Sequence, residues 1–512
     1  MELLFLQIII LLSIVFYIPL HFKLIQDNSG MLKLLRTTHP VFALSAVFSF
    51  WFPVLSFFWF FFCLMACVYA MWRLFKRGGF YIEETLIDFS LMYLPVGGIW
   101  FIVYQMDWSL YGFSSTIALL TAIHFHYSSL FALLFLSLMG RELKNLASLP
   151  KWYTFISMVF ISSPILVAIG ITYSRTFEIF SVILFAIGLI LYAFFSFRLK
   201  STFISLSSAT ILFTMFLSIL YSFRTVDIPF MIYFHGIVNA ILFTGLGLIG
   251  YLRLSPKSHF DMTVIPFSSI IGDNKIGIDF FERHDLIDMV QDHPHGMVDE
   301  MNMFEHTGFH PSDIHPNIVD FYVNTVSYDM DVQPKWNRLV YPFALLYKRW
   351  SMKMEQMNFP TLQDENDTKV NSEMFKIKDE KDGRNNVRAW VRSDKKNQKA
   401  IYVAAYSTHQ NNKNERFYNV YFPLPFGGMT SVLRINHFSG GGVSLTSLSD
   451  KRKDDHNGVY LTILKKKIRL PINETIDVWN EDRVIKAYHI SYLFGIPVLQ
   501  LHYQIKKKVT FH

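Results

Sequence analysis

Seven stretches of about twenty residues, at 3–20, 85–105, 113–139, 153–173, 177–197, 202–223 and 229–251, are too apolar and too long for the core of a soluble domain. A helix of about 20 residues crosses the roughly 30 Å hydrocarbon layer of a bilayer, where only helices and closed barrels satisfy every backbone polar group. Each stretch therefore reads as a membrane-spanning helix. Composition agrees, since 52% of the 512 residues are hydrophobic, 51 of them Phe, beyond the usual soluble range. Met1 to Leu20 lacks a basic leader and a small-residue cleavage site, so it reads as an uncleaved span.

The run from Pro40 to Trp72 is long for one span and short for two, with Pro53 near its centre. Charge decides the matter. Lys23, Lys33 and Arg36 precede the run and Arg73, Lys76 and Arg77 follow it. Further basic groups are Arg141, Lys144 and Lys151, then Arg198 and Lys200, then Arg253 and Lys257, whereas the connections around Asp107, Arg175 and Asp227 are poor in positive charge. Basic loops stay in the cytoplasm, so residues 40–72 leave and return as a hairpin turning at Pro53. The expectation is a bundle of about nine spans with its N-terminus outside and its C-terminal half in the cytoplasm.

Several polar residues interrupt this pattern. His124 and His126 lie near the middle of one span, with Ser128 on the His124 face, four residues being about one helical turn. The last span carries His235 and Asn239 one turn apart, and Asp88 follows Glu84 by one turn in the span that also holds Pro95, Gly97 and Gly98, which permit a kink. Intramembrane polar groups are costly and usually face a bundle interior or a water-filled cavity. Asp88, His124, His126, Ser128, His235 and Asn239 are thus candidates to line a path. His124, His126 and His235 also suit a metal, zinc or iron by their ligand chemistry. Alternatively each residue simply bonds a neighbouring helix. No P-loop, dinucleotide fingerprint, nucleophile elbow or H-E-x-x-H sequence occurs. ATP-driven transport by this chain alone is disfavoured. Cys63 and Cys67, four apart in an apolar run, read as packing residues.

The second half is aqueous in composition. Residues 253–316 read as a linker rich in His and acidic residues, including His284, His293, His295, His306, His310 and His315; no ligand spacing recurs, and polar loops accumulate such residues without binding metal. Residues 317–512 begin with an amphipathic segment and a helix carrying Tyr347, Lys348, Arg349 and Trp350, a mix suited to a membrane surface. Then VRAWVR, AIYVAAYS, RFYNVYFP, VLRINHF, VYLTILKK and VLQLHYQIKK alternate between turn-rich segments, as antiparallel hairpins do. The expectation is a cytosolic, mainly antiparallel β-domain, a curved sheet or partial barrel. Its concave face could hold a lipid or small hydrophobic ligand, unless Trp390, Tyr402, Tyr421 and Trp479 fill it.

EETLIDFSLMYLPVGG, HFHYS and HGIVNA in the spans, with HPNIVDFYVNT, LPINETIDVW and FGIPVLQLHYQI beyond them, resemble the YndJ-like family of bacterial membrane proteins. The resemblance implies an integral membrane protein of Gram-positive bacteria and carries no activity or catalytic residue with it.

Three function classes follow from the residues. The first is a cell-membrane protein that binds, transports or senses a hydrophobic or small solute, with the β-domain as a ligand-binding or regulatory module. The second is an intramembrane metalloenzyme using His124, His126, His235 and Asp88 on a lipid or isoprenoid. The third is a structural or signalling membrane protein. The net charge of +7 is explained by basic loops, and nothing points to sequence-specific nucleic-acid binding.

Overall fold

The computed structural model describes residues 2–78, 81–146, 149–258, 265–290, 293–338, 340–358, 368–396, 398–449, 455–464, 466–482 and 484–508. The chain forms two compact units, one built on Met1–Phe75 and Gly79–Phe260, the other on Asp261–Asp450 and Asp454–His512.

Among the described residues of the first unit, eight helices are long and apolar enough to cross a membrane. They are α1 (Glu2–Ile25), α3 (Pro53–Arg77), α4 (Ile82–Gln105), α5 (Ser115–Lys144), α6 (Lys151–Tyr173), α7 (Arg175–Leu199), α8 (Thr202–Ser222) and α9 (Ile228–Leu254). A further helix, α2 (Gly30–Phe48), has 19 residues but is diluted by Lys33, Arg36, Thr37, Thr38 and His39. The hairpin turn falls at Pro53 as expected, while its first arm starts at Gly30 rather than Pro40. Local chemistry sets the helix starts: Ser29, Ser114, Ser174 and Asp227 each accept a hydrogen bond from a backbone N–H of the following turn, satisfying a donor the helix cannot. The kink expected in α4 lies at Tyr93, where Pro95 opens a new helical segment. Gly97 serves close packing instead: a Cβ there would lie 2.7 Å from His126 Nδ1.

Three spans contain π-helical turns, at Ser13–Tyr17 in α1, Ser128–Ala132 in α5, and Ile232–Ile237 and Asn239–Leu246 in α9. Side chains from neighbouring helices bond backbone carbonyls in and beside the first two. His39 donates to the Ile14 carbonyl at 2.9 Å, Tyr127 to that of Ile9 at 2.7 Å and Ser13 to that of His126 at 2.9 Å. Such turns interrupt the regular ladder and occur often at functional sites.

The second unit is a barrel. Its strands are β1 (Tyr328–Trp336), β2 (Thr368–Lys376), β3 (Arg388–Asp394), β4 (Ala400–Gln410), β5 (Arg416–Leu424), β6 (Gly427–Phe438), β7 (Gly442–Thr446), β8 (Gly458–Ile463), β9 (Lys466–Arg469), β10 (Ile472–Glu481), β11 (Val484–Leu493) and β12 (Ile496–Lys507). Neighbours pair antiparallel from β1 through β7, then β7 with β10, β10 with β11, β11 with β12, and β12 with β1. The sheet therefore closes, beyond the curved or partial barrel expected. Closure rests on β6, long enough to bond β8 and then β7 along one edge and β5 along the other, and it removes the exposed edges an open sheet presents.

Residues 265–316, read from sequence as linker, belong to this unit. Ile276, Phe280 and Phe281 pack on the outward Val391, Val403 and Tyr421, and Met297, Met301, Phe304 and Phe309 join the inner core. With cover on both faces, β4 is buried from Ala400 to Ser407. The helix Tyr341–Met354 forms as expected and leaves Phe343, Leu346 and Trp350 exposed.

Candidate functional site

Two polar assemblies lie within the helices of the first unit. The first lies where α1, α3, α5 and α9 end and α4 begins. Arg141 is fully buried and uses its whole donor fork: Nε and Nη2 bond the two Glu84 carboxylate oxygens at 2.7 and 2.8 Å. Its Nη1 and Nη2 reach the carbonyls of Leu24 (3.1 Å), Pro256 (3.4 Å) and Ile25 (3.1 Å). Two of these are helix-terminal carbonyls with no partner inside their own helix. Arg73 bonds Glu84 at 2.7 Å and lies in an ion pair with Asp88 at 3.2 Å, and Lys144 bonds Glu83 at 2.9 Å. Nearby, His21 Nε2 meets the Ser90 hydroxyl at 2.9 Å, and Tyr69 donates to Asp27 at 2.7 Å. Asp88 is thus one member of a buried ion-pair cluster. Sequence reading gave Arg73, Arg141 and Lys144 only a role in orientation, named Glu84 only to place Asp88, and passed over Glu83, His21 and His39. A legible signal was present, since the acidic pair Glu83–Glu84 at a span end matches the basic ends of α3 and α5.

The second assembly is histidine-centred. His124 and His235 face each other with ring centroids 6.5 Å apart and planes 23° from parallel. His235 Nδ1 lies 3.1 Å from both the Ser218 hydroxyl and the Thr214 carbonyl, and its Nε2 accepts from Asn239 at 3.3 Å. The Thr214 hydroxyl donates to the Asn239 amide oxygen at 2.7 Å. His235, Asn239, Thr214 and Ser218 therefore form one polar wall on α8 and α9. His124 is exposed, its Nδ1 bonds the Leu120 carbonyl of its own helix at 2.7 Å, and its Nε2 has no partner among the described residues. Ser128 follows one turn on, half-buried in the π-helical turn of α5.

His126 points elsewhere. Trp59 Nε1, which can only donate, bonds its Nε2 at 3.0 Å, so Nδ1 carries the proton and donates to the Ala122 carbonyl at 2.8 Å. Both ring nitrogens are engaged and the residue is fully buried. The structure thus joins His124 to His235 and Asn239, and places His126 and Asp88 in separate settings. Among the described residues no three His, Cys, Asp or Glu are placed to share a metal ion; in the histidine cluster, His124 Nε2 is the nitrogen with an unengaged lone pair. Cys63 and Cys67 are free thiols.

The barrel interior is filled. Trp390 and Tyr402 project into it, and beside Met330, Val332, Val370, Arg392 and Tyr503 a gap of about 10 Å³ remains, room for roughly one water. Tyr421 lies on the outer face and Trp479 is half-buried against Phe438. The concave face therefore holds a packed core where a lipid pocket was one expectation. Burial alone would raise Glu474 inside the barrel, but hydrogen bonds from His489 and Ser431 outweigh it and hold the carboxyl below its usual range. In the histidine-rich segment, His284 bonds Asp273 at 2.7 Å, His310 N–H donates to His437 and His315 caps the helix Pro316–Val323. The side chains of His284 and His315 thus have local structural roles, and His310 takes part through its backbone N–H.

A bundle of membrane-length helices with buried ion pairs and facing imidazoles, followed by a closed antiparallel barrel, defines a polytopic membrane protein. The family model described as YndJ-like protein matches residues 8–243, within the helical unit. The uncharacterized membrane protein YndJ of Bacillus subtilis strain 168 is 34% identical over 521 residues, covering 98% of this chain and 93% of the relative. The chain belongs to the YndJ-like family. No solved structure matches it.

Proposed function

We propose that this protein carries a small polar or ionisable solute across the cell membrane along the seam where His124 of α5 faces His235 of α9, with the barrel as a cytoplasmic module. The exposed His124 ring opposite His235 carries this reading. The His235 ring that it meets is bonded to Thr214, Ser218 and Asn239, and such a polar face is costly in lipid unless water or solute meets it. Imidazoles also exchange protons near neutral pH, which suits coupling of solute movement to protons. The π-helical turns in α1, α5 and α9 supply segments whose hydrogen bonds can be re-registered as the seam opens.

Thiol accessibility tests the reading. In a Cys63→Ala, Cys67→Ala background, His124→Cys and His235→Cys should react with a membrane-impermeant cationic methanethiosulfonate reagent in intact cells or inverted vesicles. Reaction with a lipid-permeant maleimide alone would show that no aqueous path reaches them and would sink the proposal.

A further inference from the structure

The second unit carries a cleft of about 380 Å³ at the rim where β4 meets β5, lined by Asn385, Thr408, Gln410 and Arg416 together with Arg384 and Met303. Its volume is within the range of small-molecule sites. Its chemistry is one-sided, because no carboxylate lines it. Arg384 is already neutralised by a buried bidentate pair with Asp382 at 2.6 and 3.0 Å. Arg416 is different. Its Nε donates to the Met303 carbonyl at 3.0 Å and its Nη1 to the Thr408 hydroxyl at 2.9 Å, and it has no carboxylate partner among the described residues. Two contacts thus fix the guanidinium while Nη2 remains to be used.

Gln410 pairs with Arg416 directly across the β4–β5 ladder, so their side chains leave the sheet on the same face. Neither the Gln410 nor the Asn385 side chain has a hydrogen-bond partner among the described residues, and both are exposed. Donors from a strand pair and a loop converge on one volume with a single uncompensated positive charge. We propose that this cleft binds a phosphate group borne by a small polar molecule, with Arg416 supplying the charge and the amides of Asn385 and Gln410 bonding the remaining oxygens. A carboxylate is disfavoured: it is best held by two parallel guanidinium N–H groups, and the Thr408 hydroxyl already occupies one arm of the Arg416 fork. Phosphate spreads its oxygens tetrahedrally and can meet donors from several directions. The neighbouring His409 adds no charge, since burial first, and then His456 and the arginines, push its imidazole down to about 3.

Full-length protein purified in detergent should bind inorganic phosphate and glycerol 3-phosphate saturably by isothermal titration at constant ionic strength, and acetate at least tenfold more weakly. Gln410→Glu places a carboxylate beside Arg416 at an exposed position and should weaken phosphate binding at least tenfold with an unchanged melting temperature; Gln410→Lys should tighten it. A lipid headgroup is distinguished by flotation with vesicles containing phosphatidic acid: binding to these, without binding of the soluble probes, assigns the phosphate to lipid. Absence of saturable binding in both formats, acetate binding equal to phosphate, or phosphate binding by Gln410→Glu equal to the parent would overturn the proposal.

Discussion

Arg141 and Glu84 lock the ends of α5 and α4 together through two parallel hydrogen bonds, 2.7 and 2.8 Å long, with both side chains out of contact with solvent. The same guanidinium ties down the last carbonyls of α1, so one side chain joins three spans. Burying such ions is costly, and the geometry must be complete to repay it.

Removing Arg141 should therefore cost more than its own bonds. Arg141→Met takes a bidentate cationic partner from Glu84 and strands the carbonyls of Leu24 and Ile25, for an expected loss of about 3–5 kcal/mol. The readout is melting temperature in detergent, and Arg141→Met combined with Glu84→Met should recover part of the loss. An unchanged melting temperature in the single variant would contradict the buried-pair account.

The two neighbouring histidines should separate by phenotype. His126→Ala breaks bonds from Trp59 and to Ala122 and opens a core cavity, which should lower stability by about 2–4 kcal/mol. Gly97→Ala, driving a methyl group against the same ring, should destabilise by about 1–3 kcal/mol. His124→Ala removes an exposed ring and should stay within about 1 kcal/mol of the parent while changing solute movement. Equal stability losses at 124 and 126 would assign both to packing.

Acid should weaken the barrel through His409. Its folded pKa, about 3, lies below the unfolded value near 6.5, so between these pH values the unfolded chain binds the extra proton. Its contribution is complete above about pH 6.5 and is lost as pH falls towards 3, by up to about 1.4 kcal/mol per pH unit. His409→Gln does not titrate, and its melting temperature should fall less steeply than the parent's from pH 6.5 to 4.5. Parallel slopes would exclude this origin.

The basic ends of the spans predict an orientation that reporter fusions can test. Reporters fused after Tyr251 or at His512 should be cytoplasmic and one at Trp108 external. A cytoplasmic signal at Trp108 would invert the bundle.

Much of this architecture was legible because its determinants are local. The apolar spans, the turn at Pro53 and the alternation along β3 to β6 are each read within a single segment. His235 and Asn239 could be joined because they lie one turn apart. His124 and His235 could be named together as candidates, but the choice of His235 over Asp88 as the partner of His124 needed the fold, since neither hydropathy nor charge names neighbouring helices. The basic residues of α3 and α5 carry a second role that their position at a span end does not announce: Arg141 and Lys144 pair with Glu84 and Glu83 inside the bundle.

By itself the sequence determined that the first half spans a membrane and the second forms antiparallel hairpins, because span length, hydropathy and side-chain alternation belong to each segment alone. The tertiary structure decided that the barrel closes and fills its own interior, that residues 265–316 are built into it, and that His124 meets His235 while His126 is sealed against Trp59. These outcomes depend on which elements pack together, and pairing energies between distant segments are set by geometry that no single segment contains.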